Sequence, residues 1–279
     1  MGYKIVVDSC CDLPDEIREK HIFENIPLTL HIDGEEITDD ETFNQQEFIE
    51  KVDKSEFGGK SSCPSPQTYM DAYNCDAEDV YVVTLSAELS GSYNSAVVGM
   101  NMYKEELGEK NIHVFNSKSA SCGETLIALN ILKLAEEGHE FEEIVELVET
   151  YIDELDTYFV LETLEPLRKN GRLKNLTAFV ATALNIKPIM GATDIGTICM
   201  LNQARGINKA LKKMVETVAK RTKNAEEKIL AIAHCNCPER AEVVKAELQK
   251  LCKFKEIIIV KTGGISTLYA NNGGVIIAV

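Results

Sequence analysis

The chain has 279 residues and a formal net charge of −16. That length supports one or two domains with a substantial buried core, and the acidity opposes binding to a phosphate backbone, so nucleic acid is not an expected partner. Hydrophobic residues make up 44%, as in an ordinary soluble protein, and no apolar run reaches the roughly 18 residues of a membrane span.

"YKIVV" (Tyr3–Val7) reads as a short buried strand. It has no basic leader or long apolar core before it, which argues against a signal peptide and for a cytoplasmic protein. "DSCCDLPDEIREKH" then reads as a turn and a helix, with Asp12 as N-cap and Pro14 in the first turn. Asn25–Asp33 reads as one strand ending at a turn around Gly34, and Asn44–Ser55 has helical spacing at Phe48, Ile49 and Val52. The Gly-, Ser- and Pro-rich stretch "GGKSSCPSP" marks a loop that enters a helix near Pro66. Val80–Leu85 and Asn111–Ser117 are strands; Ser121–Gly138 and Glu140–Leu155 are strongly periodic helices. Alternating strands and helices predict an α/β half with a mainly parallel sheet and helices on both faces.

From "TYFVLET" onward the pattern changes. A short helix ends at Gly171, a small apolar helix covers residues 176–185, and two strands flank a turn at Asp194–Gly196. Two amphipathic helices and three more strands complete an α+β half with a mixed sheet. The predicted division is residues 1–157 and 158–279.

Nine cysteines are scattered, with no CxxC and no Cys/His set at zinc spacing. They read as free thiols in a reducing compartment, and no metal or other cofactor is expected.

Small polar groups cluster at three places: "SSCPSP" (Ser61–Pro66), "SGS" (Ser90–Ser92) and "NSKSASCG" (Asn116–Gly123). The last two lie where a strand gives way to a helix. There the first N–H groups lack intrahelical partners and the helix dipole is positive, so serine hydroxyls and a glycine make a site for a carboxylate or phosphate. Each serine equally suits a helix cap. A nucleophile needs a base. "LSGSY" is not G-x-S-x-G, His113 lies within a strand as a core residue, and His234 near a strand end is the one candidate base. A serine esterase acting through Ser90 or Ser92 is therefore the alternative reading.

Taken together and in this order, several segments resemble the DegV family of bacterial fatty-acid-binding proteins. "VVDSCCDLP" is similar to its D-S-x-x-D-L/V-P, "KSSCPSP" to T-S-x-P-S, "LSAELSGSYNSA" to S-S-x-L-S-G-T-Y-x-S-A, "VFNSKSASCG" to V-x-D-S-x-x-x-S-x-G, and "LRKNGRL" to L-x-K-G-G-R. "ALNIKPIM" and "ARGINKAL" match later segments, so the resemblance spans nearly the whole chain. It implies a DegV-like fold and a long-chain fatty acid held in a tunnel, with no chemistry of the protein's own. Its carboxylate would be held by Ser61, Ser62 and Ser90, with Ser92 and the Gly91 N–H nearby. The resemblance further implies a partner, a separate ATP-dependent fatty acid kinase making an acyl phosphate for phospholipid synthesis. Arg172 would face the head group and Arg205 the kinase, and membrane contact would be confined to the surface and transient. The chain departs from the family where a late G-x-H-x-G-P-G segment aligns with Ser266–Gly274: Tyr269 stands in the histidine's place.

Overall fold

Pro27 divides what reads as one strand into two. Proline has no N–H to give to a ladder. Before it, Phe23–Ile26 joins one sheet; after it, Thr29–Ile32 joins another. Between them the Leu28 N–H donates to Ser9 Oγ at 3.0 Å, and the Leu28 carbonyl accepts from the Asp39 N–H at 3.0 Å.

The computed structural model describes residues 2–173 and 185–279. Elements run in chain order as β1 (Tyr3–Asp8), α1 (Asp15–Arg18), β2 (Phe23–Ile26), β3 (Thr29–Ile32), β4 (Glu35–Thr38), α2 (Gln45–Lys54) and β5 (Lys60–Ser62). There follow α3 (Pro66–Tyr73), β6 (Asp79–Thr84), α4 (Ser92–Leu107), β7 (Asn111–Asn116), α5 (Cys122–Glu136) and α6 (Phe141–Glu154). The rest are β8 (Thr157–Val160), α7 (Glu165–Lys169), β9 (Ile186–Ala192), β10 (Ile198–Arg205), α8 (Ile207–Arg221), β11 (Ile229–His234), α9 (Pro238–Leu251), β12 (Glu256–Lys261), α10 (Gly264–Ala270) and β13 (Val275–Ala278). The apolar helix expected over residues 176–185 falls outside the described residues save for its last position.

The first sheet is the expected parallel one, ordered β2-β1-β6-β7. Its strands alternate faces as period-two geometry requires. Ile5, Val7, Tyr81, Val83 and Phe115 pack under α5 and α6, while Val6, Val80, Val82, Ile112 and Val114 pack against α3 and α4. His113 faces α6, where its Nε2 lies 3.0 Å from Glu149, and it is not a core residue. The second large sheet is mixed, ordered β10-β9-β8-β13-β11-β12, with only β11 and β12 parallel. A small antiparallel sheet, β4-β3-β5, is an addition that sequence patterning did not reveal, because β5 lies within what reads as a loop.

A further local expectation is corrected. Asp12 does not cap α1: the helix starts at Asp15 with Pro14 in the cap position and no side-chain cap. Residues 264–270, which the sequence reading assigned to no element, form α10, with Ile265, Leu268 and Tyr269 at helical spacing.

Helix α5 is apolar nearly all round because both large sheets cover it. Ile127, Ala128 and Ile131 meet the parallel sheet, while Cys122 and Leu126 meet Ala231, Ala233 and Ala278 of the mixed one. Between α3 and α4 the approach is closest at Gly99, where a Cβ would lie 2.5 Å from the Pro66 carbonyl and 3.1 Å from the Met70 nitrogen. Intrinsic propensity favours alanine in a helix by up to about 1 kcal/mol, but backbone atoms cannot yield. Gly99→Ala is therefore expected to lose about 1–3 kcal/mol of stability, read as a lower urea midpoint at unchanged slope.

Candidate functional site

Three parallel strands end at one place. Cys10 follows β1, Leu85 follows β6, and Lys118–Ser121 follow β7; all line a cavity closed on its far side by the mixed sheet. Ligands in open α/β sheets bind at such carboxyl ends. Along β8 and its continuation Thr157, Phe159 and Leu161 face the cavity, while Tyr158 and Val160 face α8 and α9. Ile276 of β13 faces in, and α10 supplies Ile265, Ser266, Tyr269 and Ala270. The lining of this cavity is mostly apolar, as in small-molecule sites.

Polar groups gather around Tyr269. Its hydroxyl lies 2.8 Å from Ser61 Oγ, and the Arg172 guanidinium sits 5.3 Å from its ring centroid. Arg172 donates from Nε to the Leu89 carbonyl at 3.1 Å and from Nη1 to the Asn170 carbonyl at 2.6 Å. It thus serves the end of α7 and still faces the cavity. Five N–H donors against two bonds among the described residues leave the guanidinium able to bind an anion. Ser90 also lines the cavity. Its Oγ accepts from the Ser92 N–H at 3.2 Å, a contact that leaves its own proton without an acceptor among the described residues. The Ser61–Tyr269 pair has two protons and one mutual bond, so one proton there is free as well.

The remaining expected residues are elsewhere. Ser62, next to Ser61 on β5, points the opposite way, and its exposed hydroxyl lies 2.9 Å from His31 Nε2. Gly91 is exposed with its backbone against the Cys63 thiol, where a Cβ would lie at 3.1 Å. Ser92 is fully buried: its hydroxyl donates to Asp8 Oδ2 at 2.6 Å and meets the Tyr69 hydroxyl at 2.6 Å. Arg205 is exposed, in a surface depression with Lys187 and Glu162. Neither Ser90 nor Ser92 has an imidazole within hydrogen-bond reach among the described residues. His234 is spent accepting the Cys237 N–H at 3.3 Å, and burial lowers its pKa.

Sequence reading missed four buried acids behind the cavity. Asp8 Oδ1 accepts from the Cys10 N–H at 3.1 Å, and Oδ2 accepts from the Leu85 N–H at 3.0 Å and from Ser92. Asp12 accepts from the Gly263 N–H at 2.6 Å and from the Ser121 hydroxyl. Asp39 accepts from the N–H groups of Gly264 at 2.6 Å and Ile265 at 2.8 Å. Glu124 is fully buried with neither carboxyl oxygen partnered among the described residues; burial and then the charge of Asp8 push its pKa well up. Asp8 and Asp12 had a signal in "DSCCD", which brackets a strand end. Asp39 had none. Burial, followed by the same acidic surroundings, also raises the Cys10 and Cys11 thiols well above their ordinary range, which makes them unreactive.

Comparison with known proteins follows this geometry. Residues 3–279 match the model of the uncharacterised-protein family DegV. A DegV domain-containing protein of Streptococcus pyogenes is 35% identical, covering 99% of this chain and 98% of the relative. A crystal structure of a DegV family protein from Ruminococcus gnavus, refined with vaccenic acid, superposes with a TM-score of 0.98 at 56% identity, all of both chains being covered. The fatty acid kinase B3 protein of Streptococcus pneumoniae, loaded with linoleic acid, superposes at 0.90 with 30% identity, covering 100% of this chain and 99% of that one.

The buried acids predict a pH signature. Burial raises Asp12 to about 7 and Asp39 to about 6 in the fold, well above an exposed aspartate. The folded state then holds protons that the unfolded chain releases, so this contribution is full below about pH 4 and is lost as pH rises through about 6 to 7. The melting temperature followed from pH 5 to 8 is expected to fall on this account. Asp39→Asn is expected to melt lower throughout, with a shallower slope.

Proposed function

The chain belongs to the DegV family, and from that premise we propose that it is a carrier holding a long-chain fatty acid in the cavity between its two large sheets. The observation that carries this reading is an apolar cavity with free hydrogen-bond donors at one place on its wall: Ser61 with Tyr269, Ser90 and Arg172. Burying about 14 methylenes at about 0.8 kcal/mol each gives a large gross driving force. The head-group donors therefore orient the acid more than they retain it. Three hydroxyls and one guanidinium suit a carboxylate.

The carrier reading also explains what the site lacks. Hydrolysis needs a base beside the nucleophile, and the one serine–imidazole contact among the described residues, Ser62 with His31, is exposed and does not line the cavity. Held by its carboxyl group, the acid is presented to a separate ATP-dependent kinase, and exposed Arg205 is the basic residue we assign to that docking. Tyr269 donates one hydrogen bond and carries no charge, so the cation beside it is Arg172, while Lys118 elsewhere on the wall is paired with Asp153. No described helix is long and apolar enough to cross a membrane, and the proposed setting is the cytoplasm with transient contact at a lipid surface.

Protein purified from a bacterial host is expected to carry acyl chains, detected by mass spectrometry of a solvent extract; folded protein without them would count against the carrier. In lipid-stripped protein, Ser61→Ala combined with Ser90→Ala is expected to weaken oleate binding by about 10- to 100-fold, measured by displacement of a fluorescent fatty acid. Unchanged affinity would refute the head-group assignment.

A further inference from the structure

The cavity wall holds another pair of hydroxyls, which the head group does not use. Ser119, in the turn between β7 and α5, and Thr157, the first residue of β8, both line the cavity. Their side-chain oxygens lie 2.6 Å apart, and the residues are 4% and 8% exposed. No hydrogen bond joins them to Ser61, Tyr269, Ser90 or Arg172 among the described residues.

Local structure does not require these hydroxyls. Ser121, not Ser119, occupies the N-cap position of α5. The turn is closed by Ser117, whose Oγ accepts from the Ser119 N–H at 3.1 Å and donates to the Ser119 carbonyl at 3.1 Å; that carbonyl also accepts from the Ser86 N–H at 2.8 Å. Space for the Ser119 hydroxyl comes from Gly123, where a Cβ would lie 1.9 Å from Ser119 Oγ. The two hydroxyls have two protons and share one bond. One O–H therefore has no acceptor among the described residues, and lone pairs remain on both oxygens. A buried donor without an acceptor is costly, and the natural remedy is an oxygen from outside the chain.

We propose that Ser119 and Thr157 form a second polar contact in the cavity, one that accepts an oxygen carried on the acyl chain itself. The ligand class is a fatty acid with a hydroxyl, keto or epoxide group along its chain. A keto or epoxide oxygen takes the free O–H; a chain hydroxyl takes it and returns its own proton to a lone pair. A wholly apolar wall would reject such ligands, because their oxygen would be desolvated without a partner. The inference rests on the fatty-acid reading above.

The test uses lipid-stripped protein, octadecanoic acid, and a panel of hydroxyoctadecanoic acids in which one hydroxyl is walked along the chain. Wild-type protein is expected to tolerate the hydroxyl over one stretch of positions, with less than about threefold loss against octadecanoic acid. In Ser119→Ala combined with Thr157→Val those same isomers are expected to lose about tenfold relative to octadecanoic acid. Ser119→Ala alone gives the same contrast if the double variant folds poorly. A penalty that is uniform along the chain, or equal in wild type and variants, overturns the proposal, as does a crystal structure in which a water accepts the free O–H with every ligand. Failure of octadecanoic acid itself to bind would instead refute the fatty-acid reading, and this inference with it.

Discussion

Two buried carboxylates hold the start of α10, and the cavity depends on them. Asp12 and Asp39 come from the first 40 residues, yet between them they accept the N–H groups of Gly263, Gly264 and Ile265. Those N–H groups have no partners within the helix, and negative charge is favourable at that end. Gly264 has to be glycine for the contact to form, since a Cβ there would lie 2.5 Å from Asp39 Oδ1. Gln45 adds bonds to the Thr262 carbonyl at 2.9 Å and to Thr267 Oγ1 at 3.0 Å. Thus fixed, α10 points Ile265, Ser266 and Tyr269 at the cavity. A helix of only seven residues is positioned by carboxylates from the first 40 residues of the chain.

Asp8 plays a corresponding part for the strand ends. It joins the end of β1 to the end of β6 through Leu85 and to the start of α4 through Ser92. Ser90 thereby gains a fixed backbone two residues away, and its hydroxyl is left for the cavity. Loss of solvation gives these acids their raised pKa values, because burial outweighs the donors that would otherwise lower them. Glu124 shows the same effect: burial, then the charge of Asp8, pushes its pKa well up. Carboxyl groups in this molecule organise the frame, while hydroxyls and one guanidinium meet the ligand space.

Much of this was legible beforehand. Alternating strands and helices gave the parallel sheet, because burial on both faces leaves short continuous apolar runs such as Ile5–Val7 and Val80–Val83. The hydroxyl-rich junction at Ser90 was readable as an anion site from its place between a strand and a helix. Other features were not legible, for identifiable reasons. Pro27 was passed over inside an apolar run, and β5 was hidden by the loop chemistry around it. Ser62 had the same local credentials as Ser61, and Ser92 the same as Ser90. Alternation on a strand and rotation around a helix turned one of each pair away, Ser62 toward His31 and Ser92 toward Asp8.

The sequence by itself determined most strands and helices of the two large sheets, where hydroxyls sit at strand–helix junctions, and the family to which the chain belongs. Those depend on period, capping and motif order, all of which are local. Tertiary structure alone decided which hydroxyls face the cavity, that Tyr269 and Arg172 meet beside Ser61, and that aspartates near the start of the chain anchor a helix near its end. These are pairings across as many as 251 positions in sequence, as between Asp12 and Gly263, and they are fixed only when both large sheets close on α5.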